Sequence, residues 1–378
     1  MDRRFLVRIP FLLLVLLALL TALWAGLLRI GWRLPPLTST LSAAHGPLMT
    51  SAFLGTLIGL ERAVALSAAN SMRRGSLAGY IGPLFSGMGG LILVLGVEGL
   101  WGPTLLTMGS LGVQITIFQI FSRQPAAHTA TLGLGALAWV IGNALWVAGL
   151  PLSTVAFWWA GFLILTIAGE RLELGRLLAL SGMAQITFAA AAGLLIAGLA
   201  LQLALYETGV RITGAGMLAL AVWLMRHDLA RRTVRQQGLT RFIALCLLMG
   251  IAWLGIAGAL ALVYGGVRAG FQYDALLHAV FLGFVFSMVF GHAPLILPGV
   301  LGIHVTPYRP FFYVHLALLH VSLALRVGGD LAASQAARQW GGLLNVAAIL
   351  LFLGNTLLAM RKAARTLDDG RRTTDRGQ

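Results

Sequence analysis

Apolar residues occur along the whole chain in runs of about 20 residues, separated by short stretches that collect most of the charged positions. A run of about 18 or more apolar residues is long enough to cross a lipid bilayer as one α-helix. Because lipid offers backbone groups no water partner, each run is predicted to be helical. We count twelve spans, with approximate limits 9–30, 41–66, 77–98, 102–121, 127–148, 152–169, 180–202, 209–226, 241–264, 274–299, 309–327 and 340–360.

Composition agrees with this pattern. Hydrophobic residues make up 58% of the 378 residues and charged residues only 10%, whereas soluble domains carry about 25% charged residues. No stretch has the composition of a soluble domain. The sequence therefore predicts an all-α, polytopic membrane protein that forms a single transmembrane domain over residues 1–378, with a tail at 361–378.

The formal net charge of +15 is distributed in a way that argues against nucleic-acid binding. The arginines lie mainly in every second loop, as in the loop that holds Arg231, Arg232, Arg235 and Arg241. This is the positive-inside bias of an inserted membrane protein, and it predicts that both termini are cytoplasmic. The one cysteine, Cys246, excludes an intrachain disulfide and a multi-cysteine metal site.

The second and sixth predicted spans share a spaced set of residues. Their common pattern consists of Phe-Leu, then Ile, then Glu-Arg at equal offsets, as Phe53-Leu54, Ile58 and Glu61-Arg62 and as Phe162-Leu163, Ile167 and Glu170-Arg171. Chance similarity is an open alternative because Leu and Ile are frequent here. A genuine echo predicts three four-helix pseudo-repeats, at about 1–123, 124–238 and 239–378.

Two histidines form the main candidate site. His45 opens the second span and His278 lies early in the tenth, so both imidazoles are predicted at the outer end of the membrane. Imidazoles at equal depth on separate helices suit bis-axial ligation of a haem iron, or part of a copper site. Small residues nearby (Gly46, Ser51, Gly55, Gly283) leave room for a flat macrocycle. The alternative is two interfacial histidines that are hydrogen-bonded to carbonyl groups.

Three further histidines lie deeper. His292 is fourteen residues after His278, roughly 21 Å further along the same helix, so the two cannot share one metal. His292 and His315 are predicted at similar depth on consecutive helices, where they suit a second metal site or a proton path, or simply helix-to-helix hydrogen bonds. His320 projects about 140° around the helix from His315.

Glu61 and Glu170 are the candidate carboxylates at the inner helix ends. Each precedes an arginine, Arg62 and Arg171 respectively. The simpler interpretation is that arginine reaches the interface with glutamate paired nearby. The alternative is a proton path from the cytoplasm that passes through Glu61 and Glu170.

The stretch HGPLMTSAFLGTLIGLERAVAL, which begins at His45, resembles the second-helix motif of the NnrS family. The region from Leu277 to Leu301, followed by PYRP, LALLH, ALRVGGD and QWGGLLN, resembles the same family. The resemblance implies a twelve-helix protein of the bacterial inner membrane that is associated with haem and copper and linked to nitric oxide tolerance. It also implies a distant relationship to the catalytic subunit of haem–copper oxidases.

By that resemblance, His45 and His278 would be the axial ligands of a b-type haem, and His292, His315 and His320 are the residues to consider for copper. The sixth and seventh spans contain no histidine, which argues against an oxidase-type binuclear centre. The implied partners are the lipid bilayer, haem and an electron donor or another membrane subunit, and the implied role is electron transfer or binding of a diatomic gas in nitric oxide or metal stress.

Two other functions fit the sequence. One is a transporter of a metal ion or small solute whose path is lined by the intramembrane histidines. The other is a scaffold subunit without chemistry of its own. Whether the protein is an enzyme is left open by the sequence.

Overall fold

A computed structural model describes residues 3–69, 77–178, 180–302, 305 and 307–375. Within these ranges, eleven helices are long and apolar enough to cross a membrane, and one more apolar helix is shorter. In chain order the twelve are α1 Arg3–Arg29, α2 Leu41–Ser67, α3 Ala78–Val94, α4 Trp101–Arg123, α5 Ala127–Val147, α6 Leu152–Leu174, α7 Gly182–Leu201, α8 Tyr206–His227, α9 Gly238–Tyr264, α10 Phe271–Leu301, α11 Phe312–Leu331 and α12 Gln335–Asp375.

The prediction of a polytopic all-α membrane protein is confirmed. The third predicted span is the shorter helix α3, and most other limits differ from the prediction by a few residues. One of the larger internal differences is at the end of α6, where the residues ERLEL continue the helix to Leu174 and a 3-10 turn, Gly175–Leu178, follows. Charged residues at this end lie where the interface tolerates them, so hydropathy alone placed the end of the helix too early.

The helices pack mainly against their neighbours in the chain, and α12 returns to contact α1. Three helices are more enclosed than the rest: 83% of the most apolar 18-residue stretch of α6 is buried, 72% of that of α10 and 67% of that of α2. These three helices are spaced four helices apart along the chain, which is the length of the predicted four-helix pseudo-repeat. The pseudo-repeat itself stays a prediction. Side chains on α2, α6 and α10 therefore face protein more than lipid.

Two of these enclosed helices change their winding directly after a candidate histidine. In α2, the residues Leu48–Leu54 form a π-helix three residues after His45, and in α10 a π-helix covers Ala279–Phe286 immediately after His278. The two segments meet through the rings of Phe53 and Phe286, whose centroids are 6.0 Å apart. π-Helical insertions are rare and occur often at functional sites.

Ion pairs join the opposite end of the bundle, which carries the arginine-rich loops. Arg62 of α2 pairs with Glu170 of α6. Arg171 makes two hydrogen bonds, of 2.7 and 2.9 Å, to the carboxylate of Asp228 after α8. Arg62 thus pairs with a glutamate, as the simpler interpretation has it, whereas Arg171 pairs with Asp228.

Candidate functional site

His45 and His278 meet at the end of the bundle that is predicted to be external. Their ring centroids are 6.2 Å apart and the ring planes differ by only 17°. Two imidazoles on opposite sides of one metal ion have centroids about 6 Å apart, since each metal–nitrogen bond is about 2 Å and each ring centre lies about 1 Å behind its nitrogen. The separation of the two rings matches this distance, and their near-parallel planes are compatible with ligation of one metal ion by both.

A backbone carbonyl anchors each of the two rings. Nδ1 of His45 is 2.8 Å from the carbonyl oxygen of Ala22 in α1, and Nδ1 of His278 is 2.9 Å from that of Asp274, one turn earlier in α10. A hydrogen bond from Nδ1–H fixes the ring and leaves Nε2 with its lone pair available. Histidines that bind metals are typically held in this way.

The two rings line one cavity between α1, α2, α6, α10, α11 and α12. The cavity and the open space at its mouth together hold about 1140 Å³ that protein atoms do not fill. Most of the wall is apolar, and three arginines line it as well. The side chains that matter most for its chemistry are His45, His278, Arg29, Arg326, Arg338 and Asp274.

Gly26 of α1 provides the space that the His45 ring occupies. A Cβ atom at this position would lie 2.9 Å from Cε1 and 3.0 Å from Nδ1 of His45, closer than real Cβ contacts allow. Any side chain at residue 26 would therefore push the imidazole out of its present position. Gly46, next to His45, also lines the cavity, and a Cβ there would reach no closer than 4.0 Å to Trp159.

Two aspartates and two arginines form a charged cluster beside His278. The Arg326 guanidinium donates to both carboxylate oxygens of Asp274, at 2.9 and 3.1 Å, and Arg338 lies 3.3 Å from the same carboxylate. Arg338 also lies 3.3 Å from Asp330, which is fully buried in α11. Because a bidentate arginine–carboxylate pair has a fixed geometry, the cluster holds the first turns of α10 and α12 and the last turn of α11 together.

The deeper histidines have separate surroundings. Nδ1 of His292 is 2.8 Å from the carbonyl oxygen of Met288, and Nδ1 of His315 is 3.1 Å from Nδ2 of Asn355. His320 accepts a 2.9 Å hydrogen bond from the Trp253 indole.

The described residues contain no group of three or more His, Cys, Asp or Glu side chains placed to hold a metal ion. His292, His315 and His320 therefore do not converge as one three-ligand set. Copper binding by any of them, like the proton path through Glu61 and Glu170, stays a prediction.

The sequence did not point to Ala22, Gly26, Asp274, Arg326 or Arg338. A signal was present for part of this set: charged residues inside apolar runs are functional candidates, and Asp274 stands four residues before His278, one helical turn away. Ala22 and Gly26 carried no such signal, because nothing in a sequence shows which faces of α1 and α2 touch.

Comparison with known proteins gives one result. The model of a family described as a domain of unknown function (DUF8744) matches residues 8–361, which is nearly the whole chain, so the chain belongs to that family. No curated protein matches the sequence.

Proposed function

We propose that this member of the DUF8744 family holds one haem between His45 and His278 and passes electrons through it inside the membrane. The observation that carries the proposal is the pair of rings 6.2 Å apart, 17° from parallel and each held by a carbonyl group at Nδ1. Hydrogen bonds to carbonyl groups are also what the alternative of two interfacial histidines predicts, but such histidines have no need of a matched partner across a cavity. The proposal rests on this geometry and on the sequence resemblance to the NnrS family.

The residues around the pair fit a haem. The walls are mainly apolar, and Gly26 and Gly46 keep the space beside the His45 ring free. A haem also carries two carboxylates, and guanidinium groups are the side chains best suited to carboxylates. Arg29, Arg326 and Arg338 line the same cavity and would hold that polar edge.

Bound in this position, the iron would supply one-electron redox chemistry. His45 and His278 would both hold the haem, and a gas molecule would have to displace one of them in order to bind. Of the two roles that the resemblance implies, electron transfer therefore fits the site better than binding of a diatomic. The carbonyl groups of Ala22 and Asp274 keep the two rings in one orientation.

The resemblance to the NnrS family would place this activity in the response to nitric oxide or metal stress, in the bacterial inner membrane, with an electron donor or another membrane subunit as the partner. The proposal does not require copper, because the two histidines of the cavity are sufficient for a low-spin haem.

The test is an absorption spectrum with metal analysis on the full chain, purified in detergent from haem-replete cells. The expected result is about one haem per chain, with a Soret band that is lost in His45→Ala and in His278→Ala. His292→Ala is the matched control, since it removes a half-buried histidine on the same helix as His278 without touching the cavity, and it should retain the band.

Colourless, iron-free protein from haem-replete cells would end the proposal. The transporter hypothesis would then be preferred, and accumulation of a labelled metal ion or solute in proteoliposomes would test it. A pigment that survives both His45→Ala and His278→Ala would show that haem binds elsewhere.

A further inference from the structure

A second cavity lies at the opposite end of the bundle, between the start of α7, the end of α8 and the loop that follows α8. The cavity and the open space at its mouth together hold about 1130 Å³ that protein atoms do not fill. Four arginines line it, namely Arg226, Arg231, Arg232 and Arg235, together with His227. The cavity belongs to neither the histidine pair nor its charged cluster.

These arginines keep their positive charge available. The one carboxylate in the wall, Asp228, accepts two hydrogen bonds from Arg171 and a third from the backbone N–H of Ala230. In the described ranges no carboxylate lies within ion-pair distance of Arg226, Arg232 or Arg235. Asp228 therefore stabilises the loop, and its negative charge is paired with Arg171 and not with the arginines that line the cavity.

The start of α7 adds further donors. Ser181 caps this 20-residue helix by accepting a hydrogen bond from the N–H of Ala184, and both residues line the cavity. Backbone N–H groups in the first turn of a helix favour a bound anion. The indole of Trp223 in α8 donates to the carbonyl oxygen of Ala184, at 2.8 Å, which fixes the two walls relative to each other.

The surface next to the cavity is apolar and uncovered. Met183 and Ile186 of α7 are 68% and 64% exposed, and Val222 of α8 is 60% exposed. Large apolar side chains exposed on a membrane-spanning helix face the acyl chains of lipids. A cationic cavity at the level where the helices end therefore continues directly into a lipid-facing apolar surface.

We propose that this cavity binds one anionic phospholipid, with the phosphate among Arg226, Arg232 and Arg235 and the acyl chains along Ile186 and Val222. Basic pockets between helices at the cytoplasmic side of a membrane are suited to such headgroups. A free phosphate would use only the cationic half of the site, whereas a phospholipid uses both halves. The inference is independent of haem binding, since none of these residues touches the histidine cavity.

The test compares two double variants of the full chain. Arg232→Gln with Arg235→Gln removes two cavity arginines, and Arg309→Gln with Arg361→Gln removes two exposed arginines from the same end of the bundle, away from the cavity. Arg231 is left intact because it donates to the carbonyl oxygen of Arg226 and so supports the loop. Thermal unfolding in detergent confirms that each variant is folded.

Delipidated protein is titrated with phosphatidylglycerol in detergent, and bound lipid is counted by native mass spectrometry. Each near-surface arginine changes affinity for an anionic lipid about fivefold, so the cavity variant should bind about 25-fold more weakly and the control variant as the natural chain does. Equal binding by both variants would overturn the proposal, and so would equal binding of phosphatidylcholine. Displacement of the lipid by millimolar inorganic phosphate would instead assign the site to free phosphate.

Discussion

The histidine pair His45 and His278 differs from the deeper histidines His315 and His320 in what surrounds each ring. The pair borders a cavity and uses only Nδ1, against a carbonyl group. His315 is enclosed by the rings of Phe242, Phe290, Phe312 and Phe352, with centroid distances of 5.1 to 6.0 Å. His320 is engaged at Nδ1 by Trp253, and its Nε2 lies 3.4 Å from the hydroxyl of Ser287.

The difference shows that residue type and depth do not by themselves make a ligand site. All four rings lie in membrane-spanning helices, yet only the pair combines a fixed ring, an available nitrogen and free space. Nε2 of His315 has no hydrogen-bond partner and is buried, but aromatic side chains fill the space around it. A buried polar atom without room for a ligand is a cost to the fold rather than a binding site.

The largest expected effect is the loss of haem binding on removal of a paired histidine, which removal of a deeper histidine should not cause. His278→Gly should abolish haem binding, and millimolar imidazole should restore the Soret band because a free imidazole fits the space that the side chain leaves. His315→Gly is the comparison: it should retain the pigment in whatever fraction folds, without any dependence on imidazole. The measurement is a titration of the absorption spectrum with imidazole. The distinction between the paired and the deeper histidines would be wrong if the pigment of His315→Gly depended on imidazole. It would also be wrong if folded His278→Gly did not regain the Soret band with imidazole.

Two buried ion pairs at opposite ends of the bundle sharpen the comparison. Asp274→Ala leaves Arg326 without its bidentate partner, and Asp228→Ala does the same to Arg171. Removal of one partner of a buried pair costs about 3–5 kcal/mol, so both variants should unfold at clearly lower temperature in detergent. Only Asp274→Ala should also shift the Soret band and the reduction potential, because Asp274 lies 3.4 Å from His278. An equal spectral shift in Asp228→Ala would show that lost stability, and not the site, changes the spectrum.

The sequence allowed the helices to be predicted, and for a physical reason. The number of consecutive apolar residues decides whether a segment can cross a bilayer, and this number can be read from each segment of the sequence by itself. The start of α5 at 127 and that of α6 at 152 agree with the prediction to the residue. The end of α12 does not, because the helix continues past the apolar run to Asp375, where polarity no longer distinguishes a helix from a loop.

The candidate site could be predicted only in part. His45 and His278 stand out as ionisable residues within apolar runs, and their equal depth follows from their positions near the start of two spans that cross the membrane in the same direction. That their rings face each other depends on how α2 and α10 are rotated and on which helices stand between them. Contacts between distant segments, such as Gly26 against His45 and Asp274 against Arg326, are not encoded in any local pattern.

A smaller effect is expected from the close contact of α1 with the His45 ring. Gly26→Ala places a Cβ 2.9 Å from Cε1 of the His45 ring, so the ring should tilt and haem should bind about tenfold more weakly, a loss of about 1.4 kcal/mol. Gly193→Ala in α7 is the matched control, because a Cβ there meets nothing within 4 Å and alanine favours the helix. Haem affinity is measured by titration of the apoprotein. Unchanged affinity in Gly26→Ala would mean that the position of the His45 ring is not critical.

The smallest effect concerns the hydroxyl beside His320. Ser287 is fully buried, donates to the carbonyl oxygen of Gly283 and lies 3.4 Å from Nε2 of His320. Ser110 is an equally buried serine that donates to the carbonyl oxygen of Thr107, at 2.7 Å. Loss of one such hydrogen bond costs about 0.5–1.5 kcal/mol, so Ser287→Ala and Ser110→Ala should lower the unfolding temperature by similar small amounts.

Both serine variants should leave the haem spectrum and the copper content, measured by elemental mass spectrometry, as they are in the natural chain. His320 keeps its 2.9 Å hydrogen bond from Trp253 in either case, so its ring has no reason to move. A fall in copper content in Ser287→Ala alone would place a metal at His320. It would also show that a ring with both nitrogens near protein partners can still serve as a ligand, and the contrast between the paired and the deeper histidines would have to be drawn differently.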